Sequence, residues 1–205
     1  MKKSFSILEL ILIIALVSII GTALYLKPQE NKLLEATKRI ELYLKQTRYQ
    51  ALIDSKKNLE DSLWYRKRWT FKFFNCTNEQ GIYYVIYSDE NQKGHPNEVE
   101  SLFDPLTNKR VYATNTCDYS EKRSKYVLLT KEFGVTDVDI SCNSTNSLGQ
   151  ISFGENGNVY TRLGTKTNEN EKYILNRKCE IKLFNKNKEF ETIVIEPKTG
   201  YIHVK

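Results

Sequence analysis

The chain has 205 residues, of which 40% are hydrophobic and 12% aromatic, and its formal net charge is +6. This length and apolar content are enough for one sizeable domain with an appendage, and they exclude a chain that is disordered throughout. The positive charge is diffuse, which most often only aids solubility but also suits weak contact with an anionic polymer or surface.

An apolar run extends from Phe5 to Leu26 and is interrupted by one acid, Glu9. At about 1.5 Å per residue, a helix of this length matches the roughly 30 Å hydrocarbon layer of a bilayer. Two lysines precede the run, so the positive-inside rule places the N-terminus in the cytoplasm. The run therefore predicts a single transmembrane helix, with the chain after Lys27 on the outer side.

Three interpretations of this run compete. A cleaved secretory signal peptide has a shorter apolar region and a small-x-small cleavage site, which this run lacks. A plain membrane anchor explains the length but gives Glu9 no role, because an unpaired carboxylate in lipid is costly. In the third, the stretch KKSFSILELILIIALVSIIG resembles the N-terminus of type IV pilins and pseudopilins: a basic leader, a small residue, Phe, Glu, and a long apolar helix.

This resemblance implies how the N-terminus is processed and used. A prepilin peptidase would cut between Ser4 and Phe5 and methylate the new Phe5 amine; the family usually has Gly where this chain has Ser4. The amine would then pair with the Glu9 carboxylate of a neighbouring subunit. Such a pair neutralises two charges that are costly in apolar surroundings, and it sets the register between subunits. The competing explanation for Glu9 is a stray acid that reaches the membrane surface from the end of the span.

An amphipathic pattern follows Pro28. Apolar and small residues recur at three- and four-residue spacing: Leu33, Ala36, Ile40, Leu44, Thr47 and Ala51. Opposite charges follow one another at i,i+4 on the wet face: Glu35 with Arg39, and Glu41 with Lys45. We expect Pro28 to bend the helix, so that one helix continues from about Phe5 to about Ser55.

Short strand-like segments separated by polar turns fill the remainder. They are Trp69–Phe74, Gly81–Tyr87, Lys109–Ala113, Tyr126–Thr130, Val135–Cys142, Gly149–Phe153, Asn158–Arg162, Cys179–Phe184, Glu191–Glu196 and Tyr201–Lys205. The predicted fold class is α+β: a long N-terminal helix, transmembrane in its first half and amphipathic in its second, followed by a mostly antiparallel β-sheet domain. The predicted parts are a leader (1–4), a transmembrane half (5–27), an amphipathic half (28–58) and an exported globular domain (59–205).

A second resemblance lies near the C-terminus. GQISFGENGNVY and CEIKLFNKNKEFETIVIEPKTGYIHVK are similar to the C-terminal sheet of the minor pseudopilin H family of type II secretion systems and related minor pilins, through Gly157, Gly200 and alternating apolar residues. The resemblances imply a minor pilin or pseudopilin in the bacterial inner membrane, with its C-terminal domain in the periplasm or outside the cell. They imply as partners the prepilin peptidase, other pilin or pseudopilin subunits and inner-membrane lipid, with DNA or a secreted substrate as further candidates.

The cysteine pattern favours disulfides. The four cysteines are Cys76, Cys117, Cys142 and Cys179. They include no C-x-x-C pair, so a zinc site is not indicated. In an exported domain an even number of cysteines favours disulfides, with reduced buried thiols as the alternative. Cys142 and Cys179 share strand parity with the apolar residues of their own strands. This favours Cys142–Cys179, which leaves Cys76–Cys117.

One basic and aromatic stretch, LWYRKRW, contains Arg66, Lys67 and Arg68. In nucleic-acid binding proteins aromatic rings stack on bases while cations meet phosphates, so these three residues are candidate nucleic-acid contacts. The alternative is the entrance to a half-buried strand that begins at Trp69, in which Trp69, Phe71 and Phe73 alternate with polar residues. A DNA-binding minor pilin that acts in DNA uptake is therefore an alternative function, and an exported, membrane-anchored protein unrelated to pili is another.

Motifs for catalysis or for cofactor binding are not recognisable in the sequence. It contains no P-loop, G-x-S-x-G, H-E-x-x-H or EF-hand pattern. The oxygen-rich loop SDENQKGHPNE has groups that bind calcium, but loops of this kind are common without a metal. The sequence therefore predicts a non-enzymatic protein with no catalytic residue, no metal and no cofactor.

Overall fold

The computed structural model describes residues 6–25, 31–77, 81–105 and 107–205. The chain divides into two units, Met1–Asn31 and Lys32–Lys205. The first unit contains helix α1 (Ile7–Tyr25), and the second begins with helix α2 (Lys32–Ile53).

The prediction of one long N-terminal helix is wrong. α1 ends at Tyr25 and α2 begins at Lys32, with Pro28 between them in the sequence and outside the described residues. We expected Pro28 only to bend the helix, yet a proline has no N–H to donate to a helical ladder.

The prediction of a membrane span also needs correction. Within the described parts of the chain, no helix combines the length and the apolar character needed to cross a membrane. The transmembrane half of the predicted helix, and the single-pass location in the inner membrane with a cytoplasmic N-terminus, are therefore withdrawn.

The second unit contains ten strands and one short helix among its described residues. The strands are β1 (Thr70–Asn75), β2 (Ile82–Tyr87), β3 (Phe103–Asp104), β4 (Lys109–Arg110), β5 (Val135–Ile140), β6 (Gln150–Phe153), β7 (Val159–Tyr160), β8 (Cys179–Asn185), β9 (Phe190–Ile195) and β10 (Ile202–Val204), and the short helix is α3 (Leu129–Phe133). Two four-stranded sheets have the orders β2-β1-β6-β7 and β10-β9-β8-β5, and β3 pairs with β4. All these named strands pair antiparallel.

Helix α2 is amphipathic, as its sequence pattern predicts. The predicted stripe is buried, with Ile40 and Leu44 fully so. On its wetter side Arg39 lies 3.3 Å from Glu35, and Lys45 lies 2.8 Å from Glu41, which confirms both predicted i,i+4 pairs. The buried face contacts strands of both four-stranded sheets, so one helix covers the apolar faces of the two sheets.

Aromatic rings fill the contact between α2 and the first sheet. Phe71 and Phe73 alternate along β1 on the buried face, as predicted for a half-buried strand. The ring of Phe71 stacks on Tyr84 of β2 at 4.8 Å between centroids, and Tyr84 lies 5.9 Å from Tyr43 of α2. These contacts join helix and sheet through large apolar surfaces.

The C-terminal turn also contacts α2. Arg48 Nε donates a hydrogen bond to the carbonyl oxygen of Thr199 at 3.1 Å. Gly200 follows with φ of +61°, and a Cβ there would lie 2.8 Å from the carbonyl oxygen of Gly157. Only glycine fits this close approach, so the turn between β9 and β10 is held against the helix and the first sheet.

One predicted strand is helical in the structure. The segment Tyr126–Thr130 is occupied by a 3-10 turn at Lys125–Val127 and the start of α3. Leu129 and Phe133 are buried and lie four residues apart, which places them on one helical face. Gly134 ends α3 in the left-handed conformation that glycine favours at this position. The prediction of a strand here is therefore wrong.

The structure contains two disulfides, Cys76–Cys117 and Cys142–Cys179, the pairs that the parity argument favours. In the β5–β8 ladder Ile140 lies opposite Ile181, so the next pair of the same parity is Cys142 with Cys179. The bridges join residues 41 and 37 positions apart in the sequence. Each therefore removes entropy from the unfolded chain, on the order of 3–4 kcal/mol.

Two neighbouring buried tyrosines allow a matched test of this core. The Tyr43 hydroxyl donates to the buried carboxylate of Asp104 at 2.9 Å. The Tyr84 hydroxyl is buried and has no hydrogen-bond partner among the described atoms. Tyr43→Phe should lower the free energy of unfolding by about 1.5–3 kcal/mol, since it removes a donor from a buried charge. Tyr84→Phe should leave it unchanged or raise it by up to about 1 kcal/mol.

Denaturant unfolding of the two variants measures this difference. Equal losses in both would contradict it, because they would mean that the hydroxyl of Tyr43 contributes no more than that of Tyr84.

Candidate functional site

Helix α1 presents apolar side chains around its whole circumference. From Ile7 to Ile19 its large apolar side chains are between 45% and 78% exposed. The only charged residue in its sequence is Glu9. A helix that is apolar on every side is normally buried, because water disfavours so much apolar surface. The structure therefore points to α1 as a surface that other apolar groups cover.

Glu9 caps the N-terminus of α1. Its Oε2 accepts a hydrogen bond from the backbone N–H of Ser6 at 3.0 Å, and the Ser6 hydroxyl accepts one from the backbone N–H of Leu8 at 3.2 Å. Serine and glutamate thus satisfy two N–H groups at a helix start, in a variant of the capping box. The S-x-x-E pattern in SILE is the sequence signal for this role, which is distinct from the role of Glu9 that the pilin resemblance implies.

The cap uses one oxygen of the Glu9 carboxylate, so it is compatible with the predicted pair between Glu9 and an amine. Ser4 and Phe5, the predicted processing residues, lie outside the described residues, so cleavage and the Phe5 amine–Glu9 pair stay predictions. The cap occupies Oε2 of Glu9, and a carboxylate accepts hydrogen bonds at both oxygens. Glu9 is exposed, so its second oxygen is accessible to another chain.

The three basic residues of LWYRKRW do not form one surface. They lie on and just after the 3-10 turn Trp64–Lys67, in which successive side chains point in different directions. Lys67 Nζ pairs with Asp61 at 3.0 Å, while Arg68 is only 4% exposed. Arg66 lines a solvent-accessible pocket. A contact with nucleic acid through this stretch stays a prediction, with Arg66 as the residue of the three that has no ion pair among the described residues.

Arg68 has contacts on several sides within the domain. Its Nη1 donates to the carbonyl oxygen of Asn170 at 2.6 Å, and its Nη2 lies 3.4 Å from Glu171. The guanidinium stacks on the Tyr160 ring at 3.8 Å. The Tyr160 hydroxyl donates to Glu171 at 2.8 Å, and burial raises the pKa of Tyr160 to about 12, so it remains a donor at neutral pH. Arg68 therefore joins the segment that leads into β1 to the loop after β7.

In the oxygen-rich loop SDENQKGHPNE the buried carboxylate of Asp89 binds the backbone of the same loop. Asp89 accepts hydrogen bonds from the backbone N–H groups of Lys93 and Gly94, at 3.1 and 2.7 Å. Over the described ranges, no three His, Cys, Asp or Glu side chains come together as a metal site would require. Asp89 thus shapes the loop by bonding across it.

Comparison of the chain with protein-family models, with curated proteins and with solved structures finds no match. The resemblance to pilins therefore depends on the motifs quoted above. What the chain does must be argued from its residues and their geometry.

The surroundings of Arg66 and Arg68 predict that mutation lowers the stability at Arg68 and leaves it nearly unchanged at Arg66. Arg68→Ala should lower the free energy of unfolding by about 1.5–3 kcal/mol, because it removes a buried charged donor from Asn170 and Glu171. Arg66→Gln should change it by less than about 0.5 kcal/mol, because Arg66 has no ion pair among the described residues. Thermal unfolding followed by circular dichroism measures both. An Arg68→Ala protein as stable as the wild type would contradict the structural role.

Proposed function

We propose that the chain is a non-enzymatic, exported subunit of a filament of the type IV pilus or type II secretion pseudopilus kind, in which α1 packs among the α1 helices of neighbouring subunits. The observation that carries this proposal is the apolar surface that surrounds α1 from Ile7 to Ile19. The prepilin-like motif around Ser4, Phe5 and Glu9 agrees with it.

The distribution of apolar side chains on α1 favours packing against several neighbouring helices over docking in one groove. A helix that docks in a single groove needs one apolar stripe and keeps a polar face. α1 has large apolar side chains at nearly every position from Ile7 to Ile14, so a single partner would leave much of them in water. The core of a helical filament surrounds each helix with equivalent helices. Each Leu or Ile buried there contributes roughly 1.5–3 kcal/mol.

The disulfides support export. Cys76–Cys117 and Cys142–Cys179 require an oxidising compartment to form and persist. In an extracellular or periplasmic filament the two covalent bridges would supplement the core of the folded second unit.

The first test is the mature N-terminus. Mass spectrometry of the protein from its native cells should find a chain that begins with N-methylated Phe5, because the motif implies cleavage after Ser4. An intact Met1, or a cut near Ala23 as in a signal peptide, would contradict the assignment to the pilin-like class.

The second test separates the two roles of Glu9. A cysteine introduced at Val17 is the only free thiol, since all four native cysteines are in disulfides, and it reports α1–α1 contact by oxidative cross-linking. Glu9→Gln keeps an acceptor for the helix cap but removes the charge, whereas Glu9→Ala removes both. If Glu9 pairs with an amine, both variants should reduce the cross-linked fraction about tenfold, a loss of ~1.4 kcal/mol per contact.

Ser6→Ala is the matched control, because it weakens the cap and leaves the charge of Glu9 intact. A normal cross-linked fraction in Glu9→Gln with a loss in Glu9→Ala would show that Glu9 acts only as a cap, and it would contradict the pair. Absence of cross-links in the parent Val17→Cys protein would contradict packing of α1 helices altogether.

A further inference from the structure

A pocket of about 460 Å³ lies on the face of the first sheet that points away from α2. Three cationic side chains from separate parts of the chain line it: Arg66 from the 3-10 turn, Lys72 from β1, and Arg162 from the loop after β7. Hydroxyl and amide side chains also line it: Thr145, Asn146, Ser147, Gln150 and Thr165. The pocket thus collects positive charge and neutral hydrogen-bonding groups in one place.

Lys72 occupies an unusual position for a lysine. It lies in the middle of β1, opposite Val85 of β2 and Gln150 of β6, and is half-buried. Its ammonium is 5.0 Å from the Phe74 ring. Among the described residues no carboxylate lies within salt-bridge distance, and burial alone lowers the pKa of Lys72. A half-buried cation without a counter-ion costs folding free energy, so the site is electrostatically incomplete.

The two arginines of the pocket also lack a counter-ion among the described residues. Neither Arg66 nor Arg162 has an ion pair with any described residue, whereas Arg39, Arg68 and Arg123 each lie within 2.6–3.4 Å of a carboxylate. Arg66 Nη2 lies close to the rim of the pocket, 3.8 Å from where a Cβ of Gly94 would be. Arg162 lies with its guanidinium 5.4 Å from the Tyr173 ring.

The pocket has a single carboxylate among its lining residues, that of Asp89. Its two oxygens accept hydrogen bonds from the backbone N–H groups of Lys93 and Gly94. Asp89 therefore holds its own loop in place, and it does not neutralise Lys72. Three cations and one carboxylate line the cavity, so they leave a net positive charge there.

We propose that this pocket binds a tetrahedral oxyanion group, the phosphoryl or sulfuryl group of a small ligand. Guanidinium groups donate in a fork that matches such oxygens, and an ammonium adds a compact point charge. Hydroxyl and amide groups supply the neutral hydrogen bonds that oxyanions accept. The concave shape favours one terminal group over an extended polymer, which would need a continuous groove. This inference does not depend on the filament proposal.

Equilibrium dialysis of the full chain, kept in non-ionic detergent, against radiolabelled inorganic phosphate at constant ionic strength tests the proposal. Binding should be saturable, sulfate should compete, and acetate at the same ionic strength should compete at least about tenfold less well. Lys72→Met should weaken phosphate binding at least about tenfold, and Arg66→Gln and Arg162→Gln should each weaken it severalfold.

Lys182→Met is the matched control. Lys182 is also half-buried in a strand and lies 5.5 Å from a phenylalanine ring, that of Phe190, but it does not line the pocket. The Lys182→Met protein should bind phosphate like the wild type. Thermal unfolding should show Lys72→Met at least as stable as the wild type, because the variant removes an unpaired half-buried charge; a weakened affinity then reports a lost contact.

Three results would overturn the proposal. The first is binding that does not saturate, or that chloride suppresses as effectively as sulfate. The second is an equal loss in Lys72→Met and Lys182→Met. The third is a short DNA duplex that displaces phosphate and binds more tightly through Lys72, since the ligand would then be a polymer backbone.

Discussion

The second unit depends on the packing of one amphipathic helix against two sheets. Ile40 and Leu44 of α2 are completely buried, and the face around them touches strands from both sheets. Each sheet alone would expose an apolar face to water, and α2 covers both at once. The aromatic contacts of Phe71 and Tyr84 and the hydrogen bond from Arg48 to the last turn are built around this helix.

Features that depend on local periodicity were predictable from the sequence. The stripe along α2, its two i,i+4 ion pairs and the alternating aromatic residues of β1 all follow from spacing of 3.6 or 2 residues. The pairing of Cys142 with Cys179 was predictable for the same reason. The register of a strand pair fixes which residues lie opposite each other just beyond its last paired residues. In each case neighbours in the sequence decide which side chains share a face.

Other features could not be predicted correctly from local pattern. Some depend on residues that are distant in the sequence, and in others a helical signal competes with a strand signal. Tyr126–Thr130 is rich in strand-forming residues, but the four-residue spacing of Leu129 and Phe133 before Gly134 is the helical signal that the structure follows. Pro28 lies in the sequence between α1 and α2, where local pattern predicts only a bend in one helix. The pocket around Lys72 brings together segments nearly a hundred residues apart, and no motif in the sequence predicts that Arg66 and Arg162 meet there.

The contact between Arg48 and Thr199 spans 151 positions in the sequence. During synthesis α2 is made well before β9, β10 and the turn that bonds to Arg48. The apolar face of α2 therefore stays partly uncovered until those strands have been made, and long-range contacts of this kind close slowly. The domain cannot complete its core in stages from the N-terminus. A nascent chain would carry an exposed helix face that needs protection until β9 and β10 have been made.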